Sequence, residues 1–165
     1  MYRHNKHLNM NINESEIQTE KIETETLGDR VKSYEKIYTK EKIPQNQPLI
    51  VRLDGRNFSS YTRTLIKDKN PFSSGFSLIM NETSRYMHNT FSALISYTVS
   101  DEITLIFVNN EISQHPFGGK LFKIQSLMSA AASVFFVSRL DANLPEKSGT
   151  LPTFDCRAFS VPNLD

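Results

Sequence analysis

Between residues 92 and 108 the chain carries two apolar, β-branched runs separated only by Ser100-Asp101-Glu102, and a segment with helical apolar spacing lies on each side of them. Two short strands joined by so little chain turn back on each other, so the middle of the sequence reads as a β-hairpin. Upstream, Pro71 is followed by Phe72, Phe76, Ile79, Thr83 and Met87, predicting a helix opened by the proline and buried along one stripe. Downstream of Gly118-Gly119, residues Lys120 to Arg139 place Leu121, Ile124, Leu127 or Met128, Ala131 and Phe135 on one face, which predicts a second helix. Leu49 to Leu53 reads as a first strand, Pro145 to Pro152 as a loop, and Phe154 to Val161 as a last strand.

The order is therefore β-α-β-β-α-β. It predicts an α+β domain of ferredoxin-like arrangement, an antiparallel sheet with helices on one face. In that arrangement the first and third strands are central neighbours, so the end of the first meets the start of the third. Asp54 stands at the former and Asp101, followed by Glu102, at the latter. Two carboxylates brought together repel unless a cation lies between them or one takes a proton. With oxygen ligands alone the cation is a hard one, Mg²⁺ or Mn²⁺, and two such ions about 3.5–4 Å apart clamp the oxygens of a phosphoryl or nucleotidyl transfer. Gly55 lets backbone approach an ion or phosphate, and Lys69, Lys120 and Lys123 are available to a triphosphate. Plainer readings exist for each: Asp-Gly as a turn pair, Asp-Glu as a solvated hairpin tip, the lysines as a solvated helix face.

The 165 residues suffice for one domain with a core, and residues 1–25, polar and without apolar period, read as a disordered tail before a domain over 26–165. A short amphipathic helix from Leu27, with Val31, Tyr34 and Ile37 or Tyr38 on one face, is expected to dock, and Pro44 and Pro48 bracket a linker. Nineteen basic and 18 acidic side chains give a net charge of +1, so any anion site is local. The lone Cys156 excludes an internal disulfide and reads as a small core residue; His4, His7, His88 and His115 show no metal-ligand spacing. No run approaches the roughly 20 apolar residues of a membrane span and no signal core opens the chain, so the expectation is a soluble, cytoplasmic protein.

Several stretches, in order, resemble the catalytic half of the tRNA-His guanylyltransferases and related 3′–5′ polymerases. They are Leu27-Gly-Asp-Arg-Val-Lys-Ser-Tyr-Glu35, Val51-Arg-Leu-Asp-Gly-Arg-Asn-Phe58, Pro71-Phe72, Met80-Asn-Glu-Thr83, Tyr97-Thr-Val-Ser-Asp-Glu-Ile-Thr-Leu-Ile-Phe107, Phe117-Gly-Gly-Lys-Leu-Phe-Lys123 and Phe154-Asp-Cys-Arg157. The resemblance implies a polymerase-palm-like domain in which Asp54 and Asp101, with the backbone of Gly55, hold two Mg²⁺ ions, and Glu102 joins the catalytic set. It implies nucleotide contacts from Asp54, Gly55, Arg56, Asn57, Phe58, Ser59, Ser100 and Asp101, and triphosphate contacts from Lys69, Lys120 and Lys123. It implies GTP and ATP as substrates, and addition of G to the 5′ end of tRNA-His or repair of tRNA 5′ ends, the 3′-hydroxyl of GTP attacking the activated end.

Two departures accompany the resemblance. Ser59 stands where the family has histidine, and a hydroxyl does not replace imidazole as a base. The chain also stops at Asp165 where the family continues into a Trp-containing region serving phosphate handling, tRNA contact and tetramer assembly; it contains no Trp. An apolar face left open by such a truncation predicts self-association as a homo-oligomer. The alternatives are a truncated, non-catalytic remnant that binds nucleotide or tRNA, and a nucleotidyl cyclase built on the same pair of aspartates. A plain RNA-binding module lacks its aromatic stacking signature.

Overall fold

Along β1 (Leu49–Gly55), Leu49, Val51 and Leu53 are fully buried while Ile50, Arg52 and Asp54 are partly exposed, and this alternation sets which way the whole sheet faces. In the computed structural model, which describes residues 26–65, 73–109 and 114–164, β1 lies between β3 (Glu102–Phe107) and β4 (Phe154–Ser160). The fourth strand, β2 (Ile95–Val99), pairs with β3, giving the order β2-β3-β1-β4 with every pair antiparallel. This is the α+β arrangement expected from the element order. Leu49, Val51, Leu53, Ile103 and Leu105 pack toward the helices; Arg52, Asp54, Glu102, Tyr97 and Arg157 stand on the opposite, open face, as do the exposed apolar Ile95, Val99 and Phe159.

Two long helices cover the buried face. The first, α3 (Ser74–Phe91), is capped by Ser73, whose side chain accepts the Phe76 N–H, and buries Phe76, Ile79, Met80, Thr83, Ser84 and Met87. Thr83 is tolerated in that stripe because its hydroxyl donates to the Ile79 carbonyl at 2.8 Å. Pro71 and Phe72 lie outside the described residues. The second, α4 (Leu121–Ser138), buries Ile124, Met128, Ala132 and Phe136, one position beyond the expected Ala131 and Phe135, and Leu127 is 46% exposed. The roll of the helix is fixed by two serines: Ser129 donates to the Phe154 carbonyl and Ser133 accepts the Phe154 N–H. With a mean hydropathy of 1.4 over 18 residues, α4 is long and apolar enough to cross a membrane by length and composition, although its buried face belongs to the core.

Two short helices lie in stretches to which the sequence pattern assigned no element, α2 (Phe58–Arg63) directly after β1 and α5 (Leu140–Asn143) after α4. The expected N-terminal helix forms as α1 (Leu27–Thr39), closed by a capping box between Thr26 and Asp29, but it buries none of its residues. The expected tail over residues 1–25 lies outside the described residues.

Candidate nucleotide and metal site

The antiparallel register brings the two predicted aspartates together. Asp54 pairs with Glu102 across the β1–β3 ladder, and the next backbone group, the Gly55 N–H, donates to the Asp101 carbonyl at 3.1 Å. Asp101 sits in the two-residue turn between β2 and β3, after Ser100, which adopts the left-handed conformation at φ 57° and donates its hydroxyl to Asp101 Oδ1 at 3.0 Å. On its other side Asp54 pairs with Asp155 of β4, so Glu102, Asp54 and Asp155 form one row across three strands. Arg52 and Arg157 form the row behind: Arg157 Nη2 lies 3.2 Å from Asp54 Oδ2, and Arg52 Nε lies 3.9 Å from Glu102 Oε2. Burial first, then the carboxylates of Asp155, Asp101 and Glu102, push the Asp54 carboxyl above its ordinary 3.8, and Arg157 pulls it partly back.

Beneath this acidic edge is an aromatic cluster. Phe58, only 1% exposed, has ring centroids 5.1–5.9 Å from those of Tyr61, Phe76, Phe136 and Phe154. Its ring fills the space beside Gly55, where an added Cβ would come within 2.3 Å. Gly55 therefore serves close packing by Phe58, and its amide is committed to Asp101. Asn57, left-handed at φ 60°, turns the chain from β1 into α2.

Beside Asp101 opens a cleft of about 470 Å³ between α2, α3 and the β2–β3 turn. Its lining mixes the apolar Phe58, Phe76 and Met80 with the polar Ser59, Thr62, Ser77, Asn81, Thr98 and Ser100. The size and the mixture of apolar wall with a few polar groups suit a nucleoside-sized ligand.

Of the residues expected to touch nucleotide, Phe58, Ser59, Ser100 and Asp101 line this cleft, and Asp54 and Gly55 adjoin it through the backbone bond to Asp101. Arg56 turns to the β4 side, its N–H bonded to the Thr153 carbonyl. Lys69 lies outside the described residues. Lys120 and Lys123 lie toward the end of α4 away from Phe154. The start of α4 is tied to the segment before β1, with Leu121 N–H donating to Glu41 and Ile43 N–H to Gly119, whereas Ser129 and Ser133 stand beside Phe154, the partner of Gly55. At 1.5 Å per residue the two lysine backbones lie roughly 9–14 Å along the axis from that end.

A model of the family described as tRNAHis guanylyltransferase matches residues 28–162, nearly the whole described chain. The chain belongs to the tRNAHis guanylyltransferase family. The fold is similar to a bacterial tRNA(His) guanylyltransferase-like protein in complex with ATP, with TM-score 0.74 and 34% identity over 83% of this chain and 58% of that one. The same kind of bacterial protein in complex with GTP gives 0.72 and 35% over 82% and 63%. The tRNA(His) guanylyltransferase of Saccharomyces cerevisiae, at 22% identity and TM-score 0.65, shares the fold over 75% of this chain and 55% of its own. An uncharacterized protein of Acanthamoeba polyphaga mimivirus is 38% identical over 123 residues, 70% of this chain and 41% of that one. The chain thus spans about half the length of the relatives it matches.

For a member of this guanylyltransferase family, the donor chemistry at the acidic edge fits a hard cation: carboxylates alone, with Asp54 carrying more negative surroundings than Arg157 offsets. No group of three or more His, Cys, Asp or Glu side chains able to hold a metal is preassembled among the described residues, so a ligand's own oxygens have to complete any shell. Asp155 and Arg157 are additions that the sequence reading did not assign to the site. Their alternation in a strand placed next to β1 by the fold order is the signal that points to them. In the same way the cap Ser73 and, on α3, Ser77 and Asn81 recur every four residues and mark the face that lines the cleft.

Proposed function

We propose that this chain is the nucleotidyl-transfer domain of a reverse-direction polymerase, adding G from GTP to the 5′ end of tRNA-His or restoring tRNA 5′ ends. The observation that carries the reading is the convergence of Asp54 and Asp101 at adjoining strand ends, beside a nucleoside-sized cleft, in a chain of this family. Asp54 and Asp101, with the Gly55 carbonyl, would hold two Mg²⁺ ions. When bound, the ions lower the charge repulsion between reacting oxygens and polarise the 5′ phosphate. The chain's own part is positioning. Asn81, Ser77 and Ser100 hold ribose and base in the cleft, Phe76 and Met80 exclude water from the base, and Glu102 orients Arg52 on the open face. ATP serves to activate a 5′-monophosphate end, and an RNA that already carries a triphosphate bypasses that step. Homo-oligomers and a cytoplasmic location belong to the same proposal.

The test incubates the chain, and an Asp54→Ala, Asp101→Ala double variant, with Mg²⁺, labelled GTP and either tRNA-His bearing a 5′-monophosphate together with ATP or tRNA-His bearing a 5′-triphosphate without it. Label at the 5′ end with the parent and none with the variant supports transfer. A second reading, nucleotide binding without transfer, is favoured by Ser59 in the cleft wall, where the family has histidine. Mg²⁺-dependent GTP binding with no label transferred would establish that reading instead.

A further inference from the structure

Glu102, Asp54 and Asp155 face one another directly across β3, β1 and β4, an arrangement of like charges that destabilises a sheet unless something lies between them. On the β4 side that something is Arg157. Its guanidinium forks, with Nη2 3.2 Å from Asp54 Oδ2 and Nε 3.5 Å from Asp155 Oδ1. The side chain is 58% exposed, so the fork is anchored at one edge while the rest of the group faces solvent. The oxygen that Arg157 contacts is one of those that would hold a cation.

We infer that Arg157 keeps the cation's place on Asp54 in the metal-free protein and becomes a phosphate ligand of the nucleotide once a cation is bound. This rests on the metal-dependent reading above. A dication arriving at Asp54 Oδ2 competes with the singly charged guanidinium for that oxygen and repels it across a few ångströms, and so displaces it. Asp155 retains it by Nε, within reach of any anion that shares the ion. A planar guanidinium whose carboxylate partner has been taken binds phosphate oxygens well. Cation and nucleotide binding are then coupled through Arg157, each favouring the other. A role confined to tying β4 to β1 predicts none of this.

The test measures Mn²⁺ binding by the electron paramagnetic resonance of free Mn²⁺, and then binding of a nonhydrolysable GTP analogue at saturating Mn²⁺. It compares the full chain with Arg157→Ala, Arg157→Gln and Arg157→Lys. Arg157→Ala and Arg157→Gln should bind Mn²⁺ alone roughly tenfold tighter than the parent. Both should bind the analogue roughly tenfold more weakly, and Arg157→Lys should restore part of each effect. Arg157→Gln keeps the side chain's length and serves if the alanine variant does not fold. Mn²⁺ affinity unchanged or weakened in these variants overturns the inference, as does unchanged analogue affinity. A parent chain that binds no Mn²⁺ overturns both the inference and the metal-dependent reading, whereas a parent that binds Mn²⁺ with unchanged variants overturns the inference alone.

Discussion

The ring of Phe58 occupies the space that a side chain on Gly55 would need, an ideal Cβ there falling 2.3 Å from the ring. The Asp-Gly pair at the end of β1 is thus a packing requirement as well as a site feature. Gly55→Ala should cost about 1–3 kcal/mol, because Phe58 is locked among four other rings and cannot retreat without strain. A chemical-denaturation midpoint checks this, and a loss below about 0.5 kcal/mol would mean the cluster adapts freely.

Asp54 is held above its ordinary carboxylate value, so the sign of its effect on stability follows directly. Its contribution is fully present below 3.8, where it is protonated in both states, and is lost as pH rises through the raised folded value. Near pH 7, without metal, the charged Asp54 is a liability that Arg157 only partly offsets. Asp54→Asn should therefore stabilise the metal-free chain by ~0.5 kcal/mol, about 1–2 °C in Tm, after allowing for solvent screening. The gain should vanish below 3.8; melts at both pH values, in chelator, show whether it does.

The cleft beside Asp101 is walled on one side by Asn81 of α3. Asn81→Leu should leave Tm within the scatter of surface substitutions but weaken binding of a fluorescent GTP analogue roughly tenfold, the scale of one lost hydrogen bond. Unchanged binding would place the base elsewhere.

Cys156 faces the helices, and burial together with Asp155 pushes its thiol up to about 12. Near pH 8 it is protonated, so iodoacetamide should alkylate the folded chain at least about a hundredfold more slowly than the unfolded chain. Equal rates, followed by mass spectrometry, would show that this side of β4 opens readily.

Much of this architecture is legible in the sequence because alternation is. Leu49, Val51 and Leu53 announce β1, and the order of strands and helices is enough to bring Asp54 to Asp101. The same order, followed one step further, separates Lys120 and Lys123 from them. β3 begins at the acidic edge and runs away from it, and the start of α4 is bonded to Glu41 and Ile43, before β1. Helical spacing alone left two adjoining stripes on α4, and the choice between them came from Ser129 and Ser133 gripping Phe154, a contact between distant segments. The helix α2 shows no period because Phe58 is its only buried residue. It is held by the insertion of one ring rather than by a face.

The fork that joins Arg157 to Asp54 spans 103 positions of chain. Its strand, β4, is the last to enter the sheet in sequence order, and β1 cannot acquire its second neighbour before then. During synthesis the acidic edge must therefore wait, half-built and with one flank of β1 unpaired, until more than half of the chain has followed it out of the ribosome. Contacts of such long range are slow to close, and an unpaired strand flank invites pairing with other chains in the meantime. The order of emergence makes the acidic edge both the last feature to mature and the most exposed to misassembly while it does.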